Sequence, residues 1–264
     1  KNKLIKSFTK LVNNYDKKKV KSPHSFNGIE TWFSESSIKY LSHLLDCIQL
    51  EKNEDIQNVL KVSFSDIIRF VSLVRHSGFK LHRDKKKFDI EWTKEEIFKE
   101  FHNSFCKSLR GLIDLWEDKT DVETTLLNVD STKFIDDYSN SIDLIITSPP
   151  YGDSSTTVAY GQFSRLSSQW LGLIGLNERG FTRNIDNELL GGKTTGIDLE
   201  DSILKRSITL YSTILGFKSL IDSSDGDTKK KLIKRTKDVL SFYIDLEKTI
   251  IQGSKYLKQN KNFI

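Results

Sequence analysis

"SIDLIITSPPYGDSS", residues 141–155, sets two of the chain's three prolines side by side, directly after an apolar run. Its first half, "IDLIIT" (142–147), predicts a strand that is apolar on both faces, as strands buried in parallel sheets are. Proline cannot donate to a sheet ladder, so Pro149 and Pro150 end that strand and hold the chain in an extended turn. The residue before each proline is pushed towards extended geometry as well. Ser148 and the Pro149 carbonyl are thereby fixed as acceptors at the mouth of the sheet. Tyr151 sets a flat ring beside them, and Gly152 lets the chain turn away.

Outward from this stretch, "TTLLNVD" (124–130) predicts a short strand ending at Asp130, and the polar segment 131–141 a short crossover. Two strands joined in this way predict part of a doubly wound α/β sheet, whose ligand sites lie at the carboxyl ends of the strands. Residues 153–200, rich in Gly, Ser and Thr, read as a long functional loop with short helical pieces. Helices are expected at about 199–222 and 228–258, and the terminal "NKNFI" looks like the opening of a strand.

The first 120 residues read as mostly helical. Ser34 is a cap for a helix through Leu50, with Ile38, Leu41, Leu45 and Ile48 on one stripe. Ser63 or Ser65 is expected to start another, with Ile67, Ile68, Val71 and Val74 inward and Gly78 as its end. Thr93 and Glu96 form a capping box for a helix that runs to about Trp116. The expected organisation is a helical region over 1–120 and a catalytic α/β portion over 121–264.

Composition bounds the function more loosely. The 264 residues are 37% hydrophobic, which suits a folded chain. No apolar run approaches the roughly 20 residues needed to span a bilayer. Cys47 and Cys106 match no metal-ligand spacing and are expected to be reduced thiols in a cytoplasm. The five histidines are scattered, and no metal site is expected. The net charge is only +5, but lysines cluster at 17–21, 83–87 and 229–231, which fits a polyanion partner. There is no methionine, not even at residue 1. An internal fragment has this property, as does a chain whose modified methionines go uncounted.

A rim of two acceptors and a ring suits a planar substrate that carries an amino group. The amine of a nucleobase is a poor nucleophile because its lone pair is delocalised into the ring. Two acceptors taking its protons return density to nitrogen, and a stacked tyrosine holds the base for attack on an electrophilic methyl group.

"TSPPY" (147–151) resembles the catalytic motif of amino-methylating, S-adenosylmethionine-dependent DNA methyltransferases. The serine form is more similar to the cytosine-N4 branch than to the adenine-N6 branch. "TSPPYGDSSTTVAYGQFSRLSSQWLG" (147–172), "TWFS" (31–34) and "FSDIIRFVS" (64–72) resemble a restriction–modification subgroup. The resemblance implies a Rossmann-like class I methyltransferase sheet, partial in this chain. It implies that Ser148 and the Pro149 carbonyl accept from the target amine, with Pro150 completing the rim. It also implies that Tyr151 stacks on a flipped base, and that Asp130, with Thr147, lies near the cofactor. Asp153 to Thr157 and Tyr160 are expected to line the base pocket or the cofactor entrance.

The family's Gly-rich cofactor loop is missing from this sequence. It is expected upstream of residue 1, on a second polypeptide, or nowhere, if the chain is a non-catalytic recognition or scaffold subunit. An RNA or protein-amide substrate is a further reading. Double-stranded DNA is the expected partner, a cognate restriction endonuclease another, and a membrane is not. "VRHSGFKLHRDKKK" (74–87) supplies the candidate phosphate contacts Arg75, Lys80, Arg83, Lys85, Lys86 and Lys87.

Overall fold

Leu4, Phe8, Leu11 and Tyr15 recur at helical spacing and are all buried, which fixes the inner face of α1 (Asn2–Lys17). The computed structural model describes residues 2–17, 23–76, 78, 80–117, 122–127, 129–149, 160–173, 189–192, 196–199 and 201–264. After the short α2 (Ile29–Trp32), Ser34 caps α3 (Glu35–Gln49), its hydroxyl accepting from the Ser37 amide at 3.3 Å. Asn53 caps α4 (Glu54–Val71) in the same way, accepting from the Ile56 amide at 3.0 Å. The expected start at Ser63 or Ser65 is therefore a correction. Ser63 sits inside the helix, its hydroxyl bonded back to the Val59 carbonyl at 3.0 Å, a role that mimics a cap in sequence.

The end of α4 is corrected too. It stops at Val71 rather than Gly78, because Leu73 and Val74 leave to bond elsewhere. The Leu73 amide donates to the Trp32 carbonyl at 2.8 Å, and Val74 bridges Arg83. Ile67, Ile68, Val71 and Val74 are all buried, as the pattern predicts. Thr93 and Glu96 form the reciprocal capping box of α5 (Lys94–Glu117), with bonds of 2.9 and 3.2 Å. Phe8 of α1 stacks on Phe105 of α5 with centroids 4.0 Å apart.

The chain divides into two units, Lys1–Thr124 with Gln162–Phe181, and Thr125–Gly161 with Thr182–Ile264. The first thus takes in most of α6 (Tyr160–Trp170), a helical piece within the stretch 153–200. Leu166 and Trp170 carry α6 into the helical core. The indole meets Phe26, Phe33 and Phe64 edge-on, at centroid distances of 5.8, 5.5 and 6.0 Å.

In the second unit, β1 (Ile142–Ile145) pairs in parallel with β2 (Leu257–Phe263), the strand that "NKNFI" announces. Between them lie α7 (Ile208–Asp222), capped by Ser207, and α8 (Gly226–Tyr256). Ile203, Leu204, Leu210, Ile214 and Leu240 form a small core. Two expectations fail here. The described residues of "TTLLNVD" form no strand, and Leu126 is 93% exposed. An apolar, β-prone run becomes a strand only where a ladder partner waits. Nor is β1 buried on both faces, since Leu144 and Ile146 are 47% and 73% exposed. The described chain is mostly helical, with one small two-stranded parallel sheet.

Candidate functional site

Among the described residues, hydrogen bonds hold the chain up to Thr147 and none is made by Ser148. The Ile264 amide donates to the Ile145 carbonyl and the Thr147 amide to the Ile264 carbonyl, each at 2.9 Å. The ladder thus runs two residues beyond β1, and Ser148 and Pro149 emerge exposed past the carboxyl ends of both strands. Pro150, Tyr151 and the expected pocket residues Asp153 to Thr157 lie outside the described residues. Tyr160 starts α6 and is 50% exposed.

Asp130 does not end a strand. It makes a local turn in which one carboxylate oxygen accepts from the Thr132 amide at 2.9 Å and its hydroxyl at 2.7 Å. The Lys133 ammonium lies 3.5 Å from the other oxygen. The Thr132 bonds, above all, hold the Asp130 pKa below the usual carboxylate value. The segment after it is fastened to α8. The Tyr256 hydroxyl accepts from the Ile135 amide at 3.0 Å and donates to the Lys133 carbonyl at 3.2 Å. For an adenosine-type cofactor the described residues fit poorly. They offer neither a Gly-rich turn after a strand nor an acidic residue at a strand's carboxyl end with its oxygens open.

The basic stretch is an ordered turn. The Arg75 amide donates to the His82 carbonyl, and the Asp84 amide to the Leu73 carbonyl, both at 2.8 Å. Arg69 of α4, which the sequence reading passed over, pins this turn from beneath. Its Nη2 donates to the carbonyls of Arg75, Gly78 and Lys80 at 3.4, 2.6 and 3.3 Å. No sequence pattern announces such contacts, because they depend on how the chain doubles back. Arg75, Lys80, Arg83, Lys85 and Lys86 are exposed, and the Arg83 guanidinium lies 4.2 Å from the Phe88 ring centroid. Lys87 differs: its ammonium turns inward and donates to the carbonyls of Phe70 and Ser72, each at 2.9 Å. Burial pushes its pKa down.

Comparison with known proteins points to a class first: the methyltransferases. Over 247 residues, 91% of this chain, the sequence is 32% identical to Type II methyltransferase M.MvaI of Kocuria varians. The match covers 52% of that protein, so the chain spans about half the length of its relative. No protein-family model matches the chain, and no solved structure does.

Proposed function

We propose that this chain is the target-base portion of a restriction–modification DNA methyltransferase. In this reading a methyl group passes from S-adenosylmethionine to the exocyclic amine of a flipped base, cytosine N4 in preference to adenine N6. The observation that carries it is the release of the chain at Ser148, immediately past the last ladder bond of a parallel strand, within a sequence similar to a Type II methyltransferase. Ser148 and the Pro149 carbonyl accept the two amine protons, returning electron density to the nitrogen. Tyr151 stacks on the base, while Pro150 keeps the rim extended. Positioning supplies the catalysis, and no metal takes part.

The β1–β2 pair belongs, in this proposal, to a Rossmann-like class I sheet whose Gly-rich cofactor loop lies in further polypeptide. Asp130, committed to Thr132, approaches the cofactor only after that turn rearranges. Duplex DNA passes along the helical region, against Arg75, Lys80, Arg83, Lys85 and Lys86, and a cognate endonuclease is the expected companion.

The poor cofactor fit favours a second reading, a non-catalytic recognition or scaffold subunit. Two measurements separate the readings. Labelled methyl transfer by the full-length product should fall a hundredfold or more (about the weight of one well-placed charge-stabilising group) in Ser148→Ala, with melting unchanged. An active Ser148→Ala protein ends the enzyme reading. Calorimetric S-adenosylmethionine binding by the chain alone ends the scaffold reading, and base analysis of the methylated DNA assigns cytosine or adenine.

A further inference from the structure

Arg69 fastens the basic turn with one nitrogen and leaves the other two unused. Its Nε and Nη1 are shielded from solvent and make no hydrogen bond among the described residues. Nor does a carboxylate there come within ion-pair distance of the guanidinium. Donors and charge held in this way are unfavourable until an acceptor arrives.

Arg69 lines a cavity of about 720 Å³ formed by α4, α5 and α6 within the helical unit, with its Nε and Nη1 themselves screened from the open space. Lys107 supplies a second cation, likewise in no ion pair among the described residues. Ser65 and Ser168 line the same cavity, with hydroxyls that make no hydrogen bond among those residues. The one lining carboxylate, Asp66, already accepts from the Ser104 hydroxyl at 2.9 Å. Partial burial and then the charges of Lys87 and Arg69 hold the His76 pKa below its ordinary value, which disfavours a third cation at the cavity. Among the described residues the cavity therefore has two cations and several hydroxyls, against a single carboxylate that is already engaged. A neutral or cationic ligand leaves that excess standing. A group with several anionic oxygens removes it, and a planar guanidinium edge matches two of them at once.

We propose that this cavity binds a phosphate group, with Arg69 Nε and Nη1 and the Lys107 ammonium as charge partners, and Ser65 and Ser168 as hydroxyl donors. The Phe163 ring, 4.8 Å from the guanidinium and 48% exposed, is the cover that swings aside on entry. The phosphate belongs either to a DNA strand on the helical unit, a source that rests on the function proposed above, or to a small free anion.

Lys107→Ala and Ser168→Ala test the cavity without touching the Arg69 contacts that hold the turn. Two properties of the full chain are measured: the salt dependence of duplex binding, and the rise in melting temperature with inorganic phosphate over chloride at equal ionic strength. If the source is DNA, Lys107→Ala lowers the log–log salt slope by about 0.9, the weight of one phosphate contact. If it is a small anion, phosphate stabilises the wild type, and both variants lose much of that gain while the DNA slope stays put. The inference is overturned if Lys107→Ala keeps the wild-type slope and phosphate stabilises wild type and variants equally, or none of them. A wild-type chain that binds no DNA removes the proposed substrate, and the phosphate shift alone then decides the cavity.

Discussion

Lys258 of β2 donates to the Asp143 carboxylate of β1 at 2.8 Å, and Lys261 closes on the other oxygen at 3.2 Å. Both lysines reach one residue because β2 bulges: Ile142 pairs with Leu257, yet Leu144 pairs with Asn262. Asn260 turns the bulge at φ 59°, a left-handed conformation that asparagine tolerates better than most residues. The clamp fixes the register that delivers Thr147 to Ile264, and with it the point at which Ser148 is released.

This clamp makes the strand pair sensitive to acid. Bonds from Lys258 and then Lys261 hold the Asp143 pKa below its ordinary value of about 3.8. A depressed carboxylate stabilises the fold above that ordinary value, and the stabilisation is lost as pH falls through the lowered pKa. The Asp143→Asn chain should therefore show faster hydrogen exchange at the Thr147 and Ile264 amides at pH 7. The difference from wild type should shrink as the pH falls through the lowered Asp143 pKa. Equal protection at pH 7 in both proteins would show that the bulge needs no clamp.

The lysines of the basic turn should divide into two kinds. Replacing Lys85 and Lys86 together by alanine should flatten the DNA salt slope by about two contacts and leave the melting temperature unchanged. Lys87→Ala should do the reverse. It takes a donor from the Phe70 and Ser72 carbonyls, so stability falls by about 1 kcal/mol while the slope holds. Denaturant titration beside filter binding measures both.

Trp170 ties α6 to the helical core. At 3% exposure among three phenylalanines, its loss in Trp170→Ala should cost about 3–5 kcal/mol. Trp170→Phe should cost only about 1–2 kcal/mol, because the indole N–H has no partner among the described residues and its removal relieves an unsatisfied donor. Urea midpoints of the two variants check the order. A Phe variant as weak as the Ala variant would mean that a phenyl ring recovers none of the indole's packing.

Gly253 near the end of α8 lies against the Phe263 ring of β2, which a β-carbon there would strike. Alanine is the better helix former by about 1 kcal/mol, but overpacking costs about 1–3 kcal/mol. The collision should win, so Gly253→Ala lowers stability by about 1 kcal/mol. A more stable variant in thermal melts would show that the Phe263 ring moves aside freely.

Much of the helical unit was legible because its signals are local. Ser34, the Thr93–Glu96 box and the stripe Ile67–Ile68–Val71 each act within two turns of helix, where the 3.6-residue period determines which side chains meet. The start of α4 was not legible, since a serine reads as a cap whether or not its hydroxyl bonds back into a helix. At the end of β1, the sequence marked Ser148 and Pro149 as the point where the strand stops, through proline's missing donor, a covalent property that no partner can change. It also placed a strand at 142–147 and another at "NKNFI", although β2 opens earlier, at Leu257, and ends within that stretch.

What tertiary structure alone decided are the long-range pairings. β1 pairs with a strand more than a hundred residues away in sequence, not with "TTLLNVD". Asp130 turned to Thr132, and Lys87 turned inward while its equally basic neighbours stayed in solvent. Sequence determines what each group can bond, whereas bonding itself depends on which acceptors the folded chain brings within about 3 Å. For a carboxylate, an ammonium or a strand edge, several partners are chemically equivalent, and only the completed packing chooses among them.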